Sequence, residues 1–173
     1  MNALEHFRIE KDEFFRNDPR SPLTADQAAR FKGLAYFPEN PALVLQLSVE
    51  KALSSQDVML QTSTGDARVY ERFGRIRFEV EGEPAELTLF SDGGDLFLPF
   101  VDALAGSETY PAGRYLEPLQ LPNGQVLVDF NYAYNPYCAY NERWSCPLPP
   151  AENRLKVAIR AGEKLFTDHH ETN

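Results

Sequence analysis

Cys138 and Cys146 stand with seven residues between them, inside the stretch 129–153 that also holds Trp144, the chain's single tryptophan, four of its eight tyrosines and four of its thirteen prolines. Thiolates can ligate a metal, attack an electrophile or pair as a disulfide, so spacing and neighbours decide among these. Zinc sites bring thiols in pairs two to four residues apart and need four ligands. The only imidazoles, His6, His169 and His170, lie at the two ends of the chain. No metal centre is expected, and no cofactor. A nucleophilic thiol needs a base or a cationic neighbour. Arg143 is close in sequence, but no internal histidine can serve as partner. The plainer reading is two packed thiols, or a short-loop disulfide if a hairpin brings the Cα atoms within about 6 Å.

A second constellation runs Glu108-Thr-Tyr110-Pro-Ala-Gly113-Arg114-Tyr115. Gly113 permits a turn or a close backbone approach, and the planar fork of Arg114 can grip a carboxylate or phosphate at two points. The alternative is internal pairing of Arg114 with Glu108, Asp129 or Glu152. A buried guanidinium left without an anion is costly in either case.

A third group is Asp129, Asn131, Asn135, Glu152 and Asn153. On a strand, Asp129 and Asn131 share one face, opposite Val128 and Phe130. A carboxylate and an amide would then project into a cavity, or into solvent if that face is outward. Asp129 and Glu152 are two carboxylates of the kind that acid–base hydrolysis requires, although a turn or capping contact is the ordinary use of Glu152. Tyr137, Tyr140 and Trp144 supply rigid aromatic area that could wall a pocket. Ser63-Thr64-Gly65 and Gly93-Gly94 are turn signals; neither joins a strand to a long helix as a phosphate cradle must.

These groups need a scaffold. Leu4, Phe7, Phe14 and Phe15 recur at helical spacing over 3–16, and Asn17-Asp18-Pro19 ends that helix. Thr24 and Gln27 have the spacing of a capping box for a second, short helix packed by Phe31 and Leu34, with Gly33 able to end it. From residue 42 the apolar period becomes two: Leu43/Leu45/Leu47/Val49, Val58/Leu60, Val69 to Phe73, Ile76/Phe78/Val80, Leu87/Leu89 and Leu96–Phe100. Residues 125–131 and 155–160 complete the series of strands. Short strands with turns about every ten residues predict a mainly β (α+β) chain. The architecture expected is an antiparallel β-sandwich or barrel-like sheet system with two short N-terminal helices packed on it. One globular domain is expected over 1–166, with 167–173 as a flexible tail.

The chain's 173 residues suffice to bury a sizeable core, and 43% hydrophobic content argues against disorder. A net charge of -9 repels polyanions, so neither nucleic acid nor an anionic membrane is an expected partner. No apolar run approaches the roughly 20 residues that span a bilayer, and the N-terminus is charged where a signal peptide is apolar. A cytoplasmic protein is expected; its oligomeric state is not legible.

Several longer segments carry a resemblance: Lys11-Asp12-Glu13-Phe14-Phe15 with Ser21-Pro22-Leu23, Phe31-Lys32-Gly33-Leu34-Ala35-Tyr36-Phe37-Pro38, Ser63-Thr64-Gly65, Leu98-Pro99-Phe100-Val101-Asp102 and Glu108 through Leu116. The stretch from 129 through Asn153-Arg154-Leu155 to Ala161-Gly162-Glu163-Lys164 is the strongest. On these the chain resembles an uncharacterised prokaryotic family, domain of unknown function 1684, whose pattern often has Thr where Leu104 stands. The resemblance implies a shared fold and carries no activity. From the residues themselves, the expectation is a β scaffold that binds a small polar, possibly anionic, ligand between 108–115 and 129–153. Glu108, Tyr110, Arg114, Asp129, Asn131, Asn135, Tyr137, Cys138, Tyr140, Trp144 and Glu152 are the candidate contacts. A carboxylate-dependent hydrolase using Glu108, Asp129 or Glu152, or an interaction protein in which the loop is only a plug, are the alternatives.

Overall fold

The computed structural model describes residues 1–53 and 56–168. Two helices open the chain, α1 (Ala3–Asn17) and α2 (Ala25–Arg30). Both begin with a reciprocal capping box, Asn2 with Glu5 and Thr24 with Gln27, which satisfies donors that a helix start leaves orphaned. Asp18 in extended conformation ends α1. Phe31 ends α2, ahead of Gly33, which lies at φ 112°.

Among the described residues nine strands follow: β1 (Val44–Leu47), β2 (Glu50–Lys51), β3 (Asp57–Gln61), β4 (Ala67–Val80), β5 (Glu83–Asp92), β6 (Asp95–Phe100), β7 (Arg114–Leu116), β8 (Leu119–Gln120) and β9 (Val126–Asp129). They form two antiparallel sheets, ordered β1-β9-β8 and β2-β4-β5-β6-β7, with β3 also pairing β4. The segments marked by Val69 and by Ile76 are one long strand. Its register on β5 shifts between Arg72 and Gly74, where a bulge re-aims the chain. Gly74 is required there, because a Cβ would stand 2.7 Å from the Glu50 carbonyl of β2.

The sheets are sandwich-like and do not close into a barrel. Ile76 and Phe78 of β4, Leu87 and Leu89 of β5, Leu98 and Phe100 of β6, and Val126 and Val128 of β9 fill one core between them. Each such side chain is worth roughly 1.5–3 kcal/mol on burial.

The helices pack on the sheet system largely through the loop after β9: Phe15, Leu23, Phe31 and Tyr140 form a second cluster, with Phe14, Tyr137 and Phe166 against it. Phe15 meets the Tyr140 ring edge-on at 5.0 Å.

The strand expected over 155–160 is not one. Beyond the single bridge of Val101 to Arg154, Leu155 donates to the Val101 carbonyl and Val157 accepts from Ala103, while Ile159, fully buried, bonds the side chains of Asp102 and Arg114. Asp168, within the segment expected as a tail, takes a two-point ion pair from Arg30 at 2.7 Å. Residues 169–173 of that expectation lie outside the described residues. Among the described residues no helix is long and apolar enough to cross a membrane.

Candidate functional site

The loop after β9 has an inner and an outer side, and they do different things. On the inner side Asp129 is the last residue of β9 and caps a turn of 3-10 helix, Phe130–Tyr132. Its Oδ1 accepts the Asn131 backbone N–H at 3.0 Å and the Asn131 amide at 2.9 Å. Asn131 in turn brackets Asn40, accepting its N–H at 2.8 Å and donating to its carbonyl at 3.0 Å. The two side chains expected to share a strand face therefore form a local capping unit, with Asn131 buried. Asn135 is also buried and donates its amide to the Lys164 carbonyl.

A carboxylate that the spacing arguments did not single out organises this side. Glu163 is 1% exposed. Its Oε2 accepts the Asn135 backbone N–H at 2.7 Å and the Tyr140 hydroxyl at 3.0 Å, and its Oε1 lies 2.5 Å from the Lys11 ammonium of α1. Burial, followed by the Glu163 charge, pushes the Tyr140 hydroxyl far up, so it stays protonated and donates.

Arg114 lies within this interior at 1% exposure. Nη1 donates to the Ala161 and Glu163 carbonyls at 2.5 and 3.0 Å, and Nη2 to the Ile159 carbonyl at 2.9 Å. Its internal anion is Asp102, 3.6 Å away and equally buried, rather than Glu108, Asp129 or Glu152. Burial pulls the guanidinium down to about 10, which leaves it charged at neutral pH. Its fork is thus committed to the chain's own carbonyls.

The other two carboxylates are also engaged. Glu108 is half-buried and pairs with Arg160 at 2.6 Å. Glu152 takes both ends of Arg72 at 2.6 and 3.0 Å and the Thr88 hydroxyl at 2.8 Å. Burial opposes ionisation there, but the hydrogen bonds from Arg72 and Thr88 outweigh it and hold the Glu152 carboxyl below its ordinary range. Its neighbour Asn153 is fully buried, bonding the Thr88 N–H and the Thr88 and Pro99 carbonyls.

The outer side of the loop is a run of aromatic depressions. Tyr134 walls three of them. One, of about 500 Å³, is lined by Phe7, Leu116, Leu119, Leu127, Tyr132, Glu117 and Asp129. The next, about 370 Å³, takes in Glu10, Lys11, Phe14 and Tyr137. The third, about 320 Å³, takes in Arg68, Tyr115, Trp144, Ser145 and Cys146.

Tyr134 is held from several sides. Its hydroxyl donates to Glu117, its ring meets Tyr115 edge-on at 5.8 Å, and the Lys11 ammonium lies 4.9 Å over its face. Trp144 donates its indole N–H to the Pro22 carbonyl at 3.0 Å and meets Tyr137 at 5.1 Å. Of the predicted contacts, Asp129, Tyr137 and Trp144 thus line this groove, while Asn131, Asn135, Tyr140 and Arg114 lie beneath it. Tyr110 stands beside Cys138, its hydroxyl 3.7 Å from the sulfur. Tyr134 and Phe7 complete the groove. Phe7, placed on the apolar face of a helix by its spacing, is 39% exposed.

The model for proteins of unknown function DUF1684 matches residues 29–164. No curated protein matches. Among solved structures, the solution NMR structure of an uncharacterized protein from gene locus rrnAC0354 of Haloarcula marismortui is similar. It is 36% identical, with 97% of this chain and 94% of that chain covered, at a TM-score of 0.71. At that identity and coverage, and with the family match running from the end of α2 through Glu163, this chain belongs to the family of proteins of unknown function DUF1684.

Proposed function

We propose that this protein binds a small organic molecule with a flat or apolar body and a hydrogen-bond-donating end, such as an amine or alcohol, along the groove walled by Tyr134. The observation that carries this reading is the sharing of Tyr134 among three depressions, which joins them into one aromatic surface. Pockets of this size with apolar walls and a few placed polar groups are the usual form of a small-molecule site. The acceptors on the widest depression are the carboxylates Glu117 and Asp129, which favour a donor over an anion. Arg114, the anion anchor that the sequence suggests, has its donors on the Ile159, Ala161 and Glu163 carbonyls. A hydrolase built on Glu108, Asp129 or Glu152 is the weaker reading, since each is tied to Arg160, Asn131 or Arg72. The buried inner side of the loop supports a plug role for Asn131, Asn135 and Tyr140, and this is compatible with a binding role for the outer side.

The test uses three probes with one aryl body: phenethylamine, phenethyl alcohol and 3-phenylpropanoate, titrated into the isotope-labelled chain. Amide shifts at Leu119, Tyr132, Tyr134 and Tyr137 are expected with the amine and alcohol, weaker with the carboxylate, and lost in Tyr134→Ala. Absence of any groove shift at millimolar probe, or equal shifts in the variant, would sink the reading.

A further inference from the structure

We propose that Cys138 and Cys146 are a redox-active dithiol, in which Cys138 attacks a hydroperoxide and Cys146 resolves the product into a disulfide. The proposal is independent of the groove's ligand. It starts from a juxtaposition: Cys138 sits in a 3-10 turn, Tyr137–Ala139, and its backbone N–H donates to the Cys146 sulfur at 3.3 Å. Both thiols are free. The Tyr110 hydroxyl donates to the Cys138 sulfur at 3.7 Å. Cys138 therefore has a hydroxyl donor on its sulfur and a second thiol beside its backbone, an arrangement that favours a thiolate where no histidine is present.

The two positions are unequal in the way such a pair requires. Cys138 is half-buried and Cys146 is 7% exposed. The neighbouring Cys146 thiol outweighs burial and pulls the Cys138 thiol down to about 6, while the neighbouring Cys138, with burial, pushes the Cys146 thiol well up. Accessible thiolate character marks the attacking sulfur, and the protonated partner beside it marks the resolving one.

The chain around Cys146 is held in place. Its N–H donates to Ser63 Oγ at 3.0 Å, its carbonyl accepts the Ser63 N–H at 2.9 Å, and the next carbonyl, of Pro147, accepts the Tyr115 hydroxyl. The resolving sulfur is thus presented rather than left to find its partner through loop motion.

The chemistry balances with a hydroperoxide as the named oxidant. The Cys138 thiolate attacks the terminal peroxide oxygen; the O–O bond breaks, and the departing alkoxide or hydroxide takes up a proton. Cys138 is then a sulfenic acid. Cys146 gives up its proton, its sulfur attacks Cys138, the S–O bond breaks, and hydroxide leaves with that proton as water. Two electrons pass from the sulfur pair to the peroxide, and a dithiol reductant reverses the change.

The reduced full chain is treated with one equivalent of hydrogen peroxide, capped with N-ethylmaleimide and mapped by mass spectrometry. The expected product is an intramolecular Cys138–Cys146 disulfide, about 2 Da lighter, restored by dithiothreitol. Cys146→Ser should stop at a sulfenic acid on Cys138 that dimedone traps. Cys138→Ser should slow oxidation of the remaining thiol at least roughly tenfold. The proposal is overturned if both wild-type cysteines remain open to N-ethylmaleimide, if only intermolecular disulfides form, or if Cys138→Ser consumes peroxide at the wild-type rate.

Discussion

Arg114 and Asp102 face each other 3.6 Å apart in the interior, and together they clamp the segment that leads to Glu163. Asp102 accepts the Ile159 N–H at 2.8 Å through one oxygen and the Thr109 hydroxyl at 2.8 Å through the other. Arg114 holds the carbonyls of Ile159, Ala161 and Glu163. Replacing Arg114 with Met would strand a buried carboxylate and three carbonyls, at a cost of about 3–5 kcal/mol. Arg114→Lys would recover less than half of that, because an ammonium lacks the planar fork. Urea unfolding of the two variants checks both values; a loss below about 1 kcal/mol for the Met variant would mean the clamp contributes little.

A second prediction concerns Gly162, at φ 78°. A Cβ there would lie 2.6 Å from the Ala133 carbonyl and 2.8 Å from that of Phe130. Gly82 has nearly the same φ, 82°, with nothing within 4 Å. Gly82→Ala should cost only backbone strain, about 1 kcal/mol. Gly162→Ala should cost at least about 2 kcal/mol more, since backbone must move. Thermal unfolding of the pair separates strain from crowding, and equal losses would refute the close approach.

The β-sheet character and both helix starts were readable because period-two apolar alternation and the Thr24/Gln27 spacing are local signals. The strand expected over 155–160 fails for a physical reason. Leu155, Val157 and Ile159 do alternate, but their backbone bonds go largely to Asp102, Arg114 and residues 101–103, which no local pattern reveals. Burial of Arg114 requires an anion beside it, but spacing does not identify Asp102 as that anion. Glu163 and Lys11 sat in the resembling segments without drawing notice. Pairing across 152 residues leaves no spacing to detect. The groove was half legible: Trp144 and Tyr137 from their density, Phe7 not, because helical spacing alone made it core.

Acid should act on Glu152 in a definite direction. Its folded pKa lies below the ordinary 4.5, so the pair with Arg72 stabilises fully above that value and is lost as pH falls through the folded pKa. Arg72→Met should cost about 1 kcal/mol at pH 7. The gap from wild type should narrow steadily below about pH 4. Urea midpoints from pH 7 to 2 test this; a gap that holds constant to pH 2 would exclude the ionic contribution.

Alkylation offers the fourth prediction. Only the thiolate reacts, so the iodoacetamide rate at Cys138 should be half-maximal near pH about 6 and flat above neutrality. Cys146, held protonated, should show no plateau up to about pH 9. Peptide-resolved rates decide, and identical profiles for the two thiols would refute the asymmetry.

The joining of Lys11 to Glu163 and of Arg30 to Asp168 has a temporal consequence. The helices are synthesised ahead of the sheets, yet the anions that dock them are among the last described residues to emerge. The β4–β5 hairpin has its partners close in sequence and can form early, whereas helix docking waits for closure of nearly the whole chain. Pulse-labelled hydrogen exchange during refolding should therefore find β4 and β5 amides protected before those of α1. A nascent chain halted short of residue 163 should carry its N-terminal helices unanchored.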